Sequence, residues 1–210
     1  MTRLLHVDSS VFGLDGQSAQ LSDVFVKRWM SQHPDTNVTR RDLAGDPVPH
    51  LDATAFSGFT SPAEERSPEQ ASAVRLSEEL ISEMRAADVI VIGMPMYNMG
   101  VPSTFKSWID HVARAGETFR YTENGPEGLL KDKKVYVLAA RGGQYLDTPY
   151  DTQTPYIRTI MGLMGITDIT FINAEGLAMG DEVKSQAITA AHARITELIP
   201  ANAVTENVAA

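Results

Sequence analysis

The sequence predicts a doubly wound α/β domain: a five-stranded parallel sheet in the order 2-1-3-4-5, with helices on both faces. Three observations lead there. Short apolar runs bounded by turn residues alternate with stretches whose apolar residues recur at helical spacing. Such runs occur at five places, one fewer than the six-stranded dinucleotide-binding arrangement uses, and no G-x-G-x-x-G accompanies them. The 210 residues, 43% of them hydrophobic, suit a single domain over residues 1–200 followed by a frayed tail over 201–210.

Leu4–Val7, closed by Asp8-Ser9-Ser10, reads as the first strand. A loop through Gly13, Asp15, Gly16 and Ser18 leads into a helix with Leu21, Val24, Phe25, Arg28 and Trp29 on one face. Val38–Leu43 alternates apolar and charged residues, as a strand near the sheet edge does. Residues 44–68 hold Pro47, Pro49, Pro62 and Pro68 with little periodicity, so a long irregular loop is expected. Glu69–Arg85 is a helix with Ala73, Leu76, Leu80 and Met84 inward, and Asp88–Gly93 is a buried third strand. The loop Met94–Gly100 follows, then a helix over Ser103–Val112. Phe119–Thr122 and the turn Glu123-Asn124-Gly125-Pro126 form a short hairpin. Lys134–Ala140 is the fourth strand, Tyr156–Leu163 a helix, and Ile169–Ile172 the fifth strand. Asp181–Ile199 closes the series, with Ile188, Ala191, Ile195, Leu198 and Ile199 inward.

Composition removes several functions. The chain has no cysteine, which excludes disulfides, thiolate catalysis and cysteine-held metals. The formal net charge of −9 argues against nucleic acid and anionic membranes as partners. No stretch approaches the roughly 18 apolar residues of a spanning helix, and no signal peptide is visible, so a soluble cytoplasmic protein is expected. The histidines at positions 6, 33, 50, 111 and 192 show no ligand spacing, and no metal is expected. There is no P-loop lysine, no G-x-S-x-G and no H-E-x-x-H.

In a 2-1-3-4-5 sheet, ligands sit beyond the carboxyl ends of strands one, three and four. The three unusual loops, 9–18, 94–100 and 141–145, follow those strands. The first loop suits a phosphate, because Ser9, Ser10, Gly16, Gln17 and Ser18 surround a helix amino terminus. The plainer reading is that Ser18 caps the helix. In the second loop Met96, Tyr97 and Met99 offer apolar cover, while Asn98 and the main chain can reach a polar edge. Pro95 and Pro102 restrict the backbone and Gly100 relieves crowding. The plainer reading there is a core plug at a strand end. Gly142 and Gly143 let main chain approach a ligand, or serve a turn. A phosphate at loop one and a planar apolar ring between loops two and three describe FMN in a flavodoxin-like fold.

The segment "PMYNMGVPSTFKSWIDHVARAGETFRYTENGPEGL" (95–129) resembles the FMN-dependent NADH-azoreductases of bacteria, relatives of the quinone reductases. The likeness continues in "SS" at 9–10, "QS" at 17–18, "RDLA" at 41–44, "RGG" at 141–143, "TPY" at 154–156 and "GITD" at 165–168. It implies FMN contacts at Ser10, Gly16, Gln17, Ser18, Met96, Tyr97, Asn98, Met99, Ala140, Arg141, Gly142 and Gly143. It implies a homodimer with FMN sites at the interface, where Tyr121 and the Leu163 region face the partner's flavin. It implies NADH or NADPH as donor, quinones and azo compounds as acceptors, and a ping-pong exchange through one slot. No side chain is expected to act as a catalytic base, and Arg141 is expected near the reduced ring. Family members often carry serine at the positions of Gly16 and Ala140, so this chain offers backbone groups alone there. Some relatives also place a bulky aromatic near Leu163 and an arginine near Thr60. A flavodoxin-like electron carrier serving protein partners is the alternative, and the acidic charge suits it.

Overall fold

The apolar runs lie side by side in one parallel sheet. A computed structural model describes residues 1–201, so the expected tail lies outside the described residues except for Ala201. The strands are β1 (Arg3–Asp8), β2 (Asn37–Asp42), β3 (Val89–Pro95), β4 (Phe119–Thr122), β5 (Gly125–Gly128), β6 (Lys134–Ala140) and β7 (Asp168–Ala174). The helices are α1 (Gln17–Gln32), α2 (Ala53–Thr60), α3 (Pro68–Ala86), α4 (Ser103–Val112), α5 (Gln153–Leu163) and α6 (Asp181–Leu198). The main sheet runs β2-β1-β3-β6-β7, and β4 and β5 pair only with each other. With that hairpin set aside, the order is the expected 2-1-3-4-5. Every pair in the main sheet is parallel.

Side chains of β3 alternate between two cores, as strand geometry requires. Ile90 and Ile92 join Leu80 and Met84 of α3, Phe105 and Trp108 of α4, and Ile157 and Met161 of α5. Val89 and Val91 join Leu21 and Phe25 of α1 and Ala191 and Ile195 of α6. Three helices therefore cover one face and two the other. Both faces of the central strands are dry, which explains their continuous apolar runs.

The 44–68 segment departs from expectation, because α2 and a 3-10 turn at Ala63–Glu65 interrupt it. The Asp52 carboxylate starts α2 by accepting from the Ala55 N–H at 2.8 Å. Four prolines and a Thr/Ser/Gly-rich helix of eight residues hide that signal. α3 begins at Pro68 behind a capping box: Ser67 N–H donates to Gln70 Oε1, and Gln70 N–H donates to Ser67 Oγ. α5 starts at Gln153, earlier than expected, since Pro155 in a first turn lacks only an N–H that has no helical partner there. The hairpin foot is fixed where Leu130 N–H donates to Met164 O, beside the amino end of β7.

Candidate functional site

The carboxyl ends of β1, β3 and β6 bring three loops around a crevice of about 200 Å³. Ser10, Gly16, Gln17 and Ser18 line it from the first loop, Met96 and Tyr97 from the second, and Ala140, Arg141 and Gly142 from the third. Tyr97 is also one wall of an adjoining cavity of about 610 Å³, where Asn98 and Met99 lie with Val101, Lys106, Thr152 and Tyr156. Gly143 lines neither space. Its carbonyl accepts from Gly176 N–H at 2.9 Å, and the Tyr145 ring packs over its Cα. Tyr121 is 76% exposed on the hairpin, Leu163 is half-buried at the end of α5, and neither lines the crevice within one chain.

In the first loop, a short 3-10 turn, Gly13–Asp15, delivers the chain to α1. The N-cap is Gly16 and not Ser18, and no side chain caps the helix. The first N–H groups of α1 therefore face the crevice with the positive end of the helix dipole. Ser18 Oγ is buried and has no hydrogen-bond partner. A buried hydroxyl without a partner is costly, and an anion at the helix terminus would satisfy it. The Tyr97 hydroxyl joins loops one and two, 3.4 Å from Ser10 Oγ and accepting from Val11 N–H at 3.3 Å.

The second loop closes as a tight turn. Tyr97 N–H donates to Gly100 O at 3.2 Å, and Gly100 N–H returns to Tyr97 O at 3.0 Å. Asn98 and Met99 hold φ of 48° and 62°, the left-handed pair of a type I′ turn. Asn accepts this region readily; Met does not. The strain thus sits on Met99. Gly100, expected to relieve crowding, has no atom nearer than 3.8 Å to a Cβ built on it.

The third loop is organised from beneath. The Arg141 guanidinium is fully buried, with Asp151 and Glu175 each at 3.0 Å. It also reaches Thr154 Oγ1 at 3.1 Å. Burial pushes the Asp151 carboxyl up, but hydrogen bonds from Thr154 and Arg141 outweigh it and hold the group below the ordinary carboxylate range. Glu175 also accepts from the N–H groups of Tyr145 and Leu146, both at 3.0 Å. The Arg141 charge, expected near the ring, is met by these two carboxylates and ties the loop together. The sequence offered no sign of Asp151 or Glu175, because their partnership with Arg141 is tertiary.

Below the first loop lies a buried polar cluster. Asp8 accepts from Ser22 Oγ at 2.8 Å and pairs with Arg40 at 2.8 Å and His6 at 3.3 Å. It joins β1, β2 and α1 just behind Ser9 and Ser10. His50 Nδ1 lies 2.9 Å from Ser107 Oγ, and His111 Nε2 lies 3.1 Å from Pro49 O. No group of three or more His, Asp or Glu among the described residues is arranged to hold a metal ion. No helix among them is long and apolar enough to cross a membrane. In the adjoining cavity, burial pushes the Tyr156 hydroxyl up to about 12, so it stays protonated.

A parallel 2-1-3-4-5 sheet with a crevice at its switch point is the architecture of a flavodoxin-like protein, and the family model described as flavodoxin-like fold matches residues 2–199. An FMN-dependent NADH:quinone oxidoreductase from Cellvibrio japonicus (strain Ueda107) is 51% identical over 201 residues, covering 96% of this chain and 100% of its own. Such identity across both chains makes this chain a member of the FMN-dependent NADH:quinone oxidoreductase family. Among solved structures, an azoreductase from Bacillus anthracis str. Sterne matches with a TM-score of 0.88 at 28% identity, covering 95% of this chain and 99% of that one. An FMN-dependent NADH-azoreductase from Bacillus anthracis str. Ames Ancestor, solved in complex with FMN, matches with a TM-score of 0.84 at 25% identity, covering 95% and 100%.

Proposed function

We propose that this chain is an FMN-dependent oxidoreductase that takes electrons from NADH or NADPH and delivers them to quinones and aromatic azo compounds. The observation that carries the reading is the uncapped amino terminus of α1, with the partnerless Ser18 Oγ, in a crevice shared by three loops. When bound, FMN would supply the redox chemistry, two-electron transfer from a nicotinamide to the acceptor.

The residues present fit that group. Ser10, Gln17 and Ser18 would hold the phosphate, using the helix terminus in place of a lysine or arginine. Met96 and Tyr97 would lie against the ring, and the N–H groups of Asn98 and Met99 would reach its polar edge. Among the described residues those two N–H groups have no partner. Main chain at Ala140–Gly143 would close the other side. Hydride transfer needs no base on the protein, and no side chain in the crevice is assigned that role.

The active form in this reading is a homodimer. Phe12, Tyr121 and Tyr150 are 67%, 76% and 65% exposed, aromatic surface that a second copy of the chain would cover in this reading. Tyr121 and Leu163, outside their own chain's crevice, would then complete the partner's site. One slot would serve donor and acceptor in turn, giving ping-pong kinetics. In this reading the enzyme works in the cytoplasm as one domain over residues 1–200.

Initial rates with NADH and benzoquinone, without any protein partner, test the proposal. It expects turnover and parallel double-reciprocal lines. The electron-carrier alternative, which the net charge of −9 favours, expects turnover only when a partner protein is added.

A further inference from the structure

We propose that Gln153, helped by Thr152, is a positioning residue that holds the Tyr97–Gly100 turn in its strained shape and so sets how the flavin ring is gripped. The proposal rests on the FMN reading above. Gln153 is fully buried at the start of α5 and lines neither the crevice nor the adjoining cavity. Its Nε2 donates to Pro95 O at 2.8 Å and to Gly100 O at 3.1 Å. Its Oε1 accepts from Arg141 Nε at 3.3 Å. Thr152 Oγ1 donates to Met99 O in the same turn.

One buried amide thus connects the end of β3, the closing residue of the turn and the arginine under the glycine loop. The chemistry demands an amide there. Two donors meet two carbonyls and one acceptor meets a guanidinium, which is the complement of glutamine. A glutamate could keep Arg141, but it would set carboxylate oxygen against two carbonyl oxygens. A methionine would keep the volume and satisfy none of the three.

The turn gives this connection its consequence. Asn98 and Met99 are both held at positive φ, and a methionine leaves that region unless its neighbours hold it. Gln153 grips Gly100 and Pro95 on either side, and Thr152 grips Met99 itself. In this reading that arrangement presents the N–H groups of residues 98 and 99, which lie in the cavity adjoining the crevice, to the edge of the bound ring. Releasing the grip lets the two residues relax and turns those donors away, with the phosphate loop untouched.

The test compares wild type with Gln153→Glu and Thr152→Val. Each protein is titrated with FMN and with riboflavin by fluorescence quenching, and the visible circular dichroism of the bound flavin is recorded. The expected result is a loss of about tenfold for Gln153→Glu, equal for FMN and riboflavin, with an altered flavin dichroism band. Thr152→Val, on an exposed residue, shows the same dichroism change with a smaller loss, and it decides the matter if Gln153→Glu does not fold. Wild-type affinity and an unchanged band in the folded variants would overturn the proposal alone. Failure of the wild type to bind FMN would overturn the cofactor reading and the proposal with it. A merely structural role would lower stability without changing the dichroism of the flavin that still binds.

Discussion

Gly16 stands so close to Ser10 that a Cβ built on it would lie 2.0 Å from Ser10 Oγ and 2.8 Å from Ser10 Cβ. Its φ of −72° is open to any residue, so contact and not conformation requires glycine here. With φ negative, a serine hydroxyl at this position could be expected to reach the phosphate, but its Cβ cannot enter without displacing Ser10. Gly16→Ser should displace Ser10 and weaken FMN by about tenfold to a hundredfold, the worth of one hydrogen bond to a charged group. Fluorescence titration checks it, and tighter binding would refute the contact argument.

Ala140 offers the opposite case. It ends β6, in register with Pro95 and Ala174, and lines the crevice. A hydroxyl there adds a donor without entering a core. Ala140→Ser should leave the melting temperature unchanged and tighten FMN about tenfold. Unchanged affinity would mean that position 140 faces no polar atom of the cofactor.

Gly143 and Tyr145 form a second close pair, with a Cβ at 143 falling 2.6 Å from the tyrosine ring. Gly143→Val should therefore push Tyr145 aside and weaken FMN. The double variant with Tyr145→Ala separates two causes. Affinity restored in the double variant shows that the glycine serves the tyrosine. Affinity still lost shows that main chain at 143 meets the cofactor directly.

Asp8 supplies a pH dependence. Burial pushes its carboxyl up, but the hydrogen bond and charge of His6, with bonds from Ser22 and Arg40, prevail and hold it below its ordinary value. A depressed pKa stabilises the folded state above the unfolded value near 3.9, and that contribution disappears as pH falls through the folded value. Asp8→Asn should cost roughly 2–3 kcal/mol at pH 7, because buried partners lose a charged acceptor. Its loss of stability below about pH 4 should also be shallower than the wild type's. Denaturant melts at pH 7 and pH 3 measure both, and parallel pH profiles for the two proteins would count against the assignment.

Much of this was legible in the chain. β6, α4 and the hairpin strand Phe119–Thr122 appear where the apolar runs and turn residues place them. These elements carry their own punctuation: Asp132-Lys133 before β6, Pro102 before α4, Asn124-Gly125 at the hairpin. The convergence of three loops was also readable, since topology alone puts the ends of β1, β3 and β6 together. α2 was not, because eight residues with two threonines, a serine and a glycine give a weak periodic signal. The Arg141 and Gln153 network was not legible either. Its partners come from four separate segments, and hydrogen bonds between buried side chains leave no local pattern. Gly16 was recognised as a site position but for another reason, because its closeness to Ser10 exists only after the loop folds back.

In the proposed function, the crevice at the ends of β1, β3 and β6 holds FMN in a form that NADH can reduce. The most direct measurement is the visible spectrum of the purified protein mixed with equimolar FMN, filtered free of excess flavin and titrated anaerobically with NADH. The expected flavin bands stay with the protein, bleach on adding one equivalent of NADH and return on adding benzoquinone. Flavin that passes through the filter, or bound flavin that neither NADH nor NADPH bleaches, would contradict it.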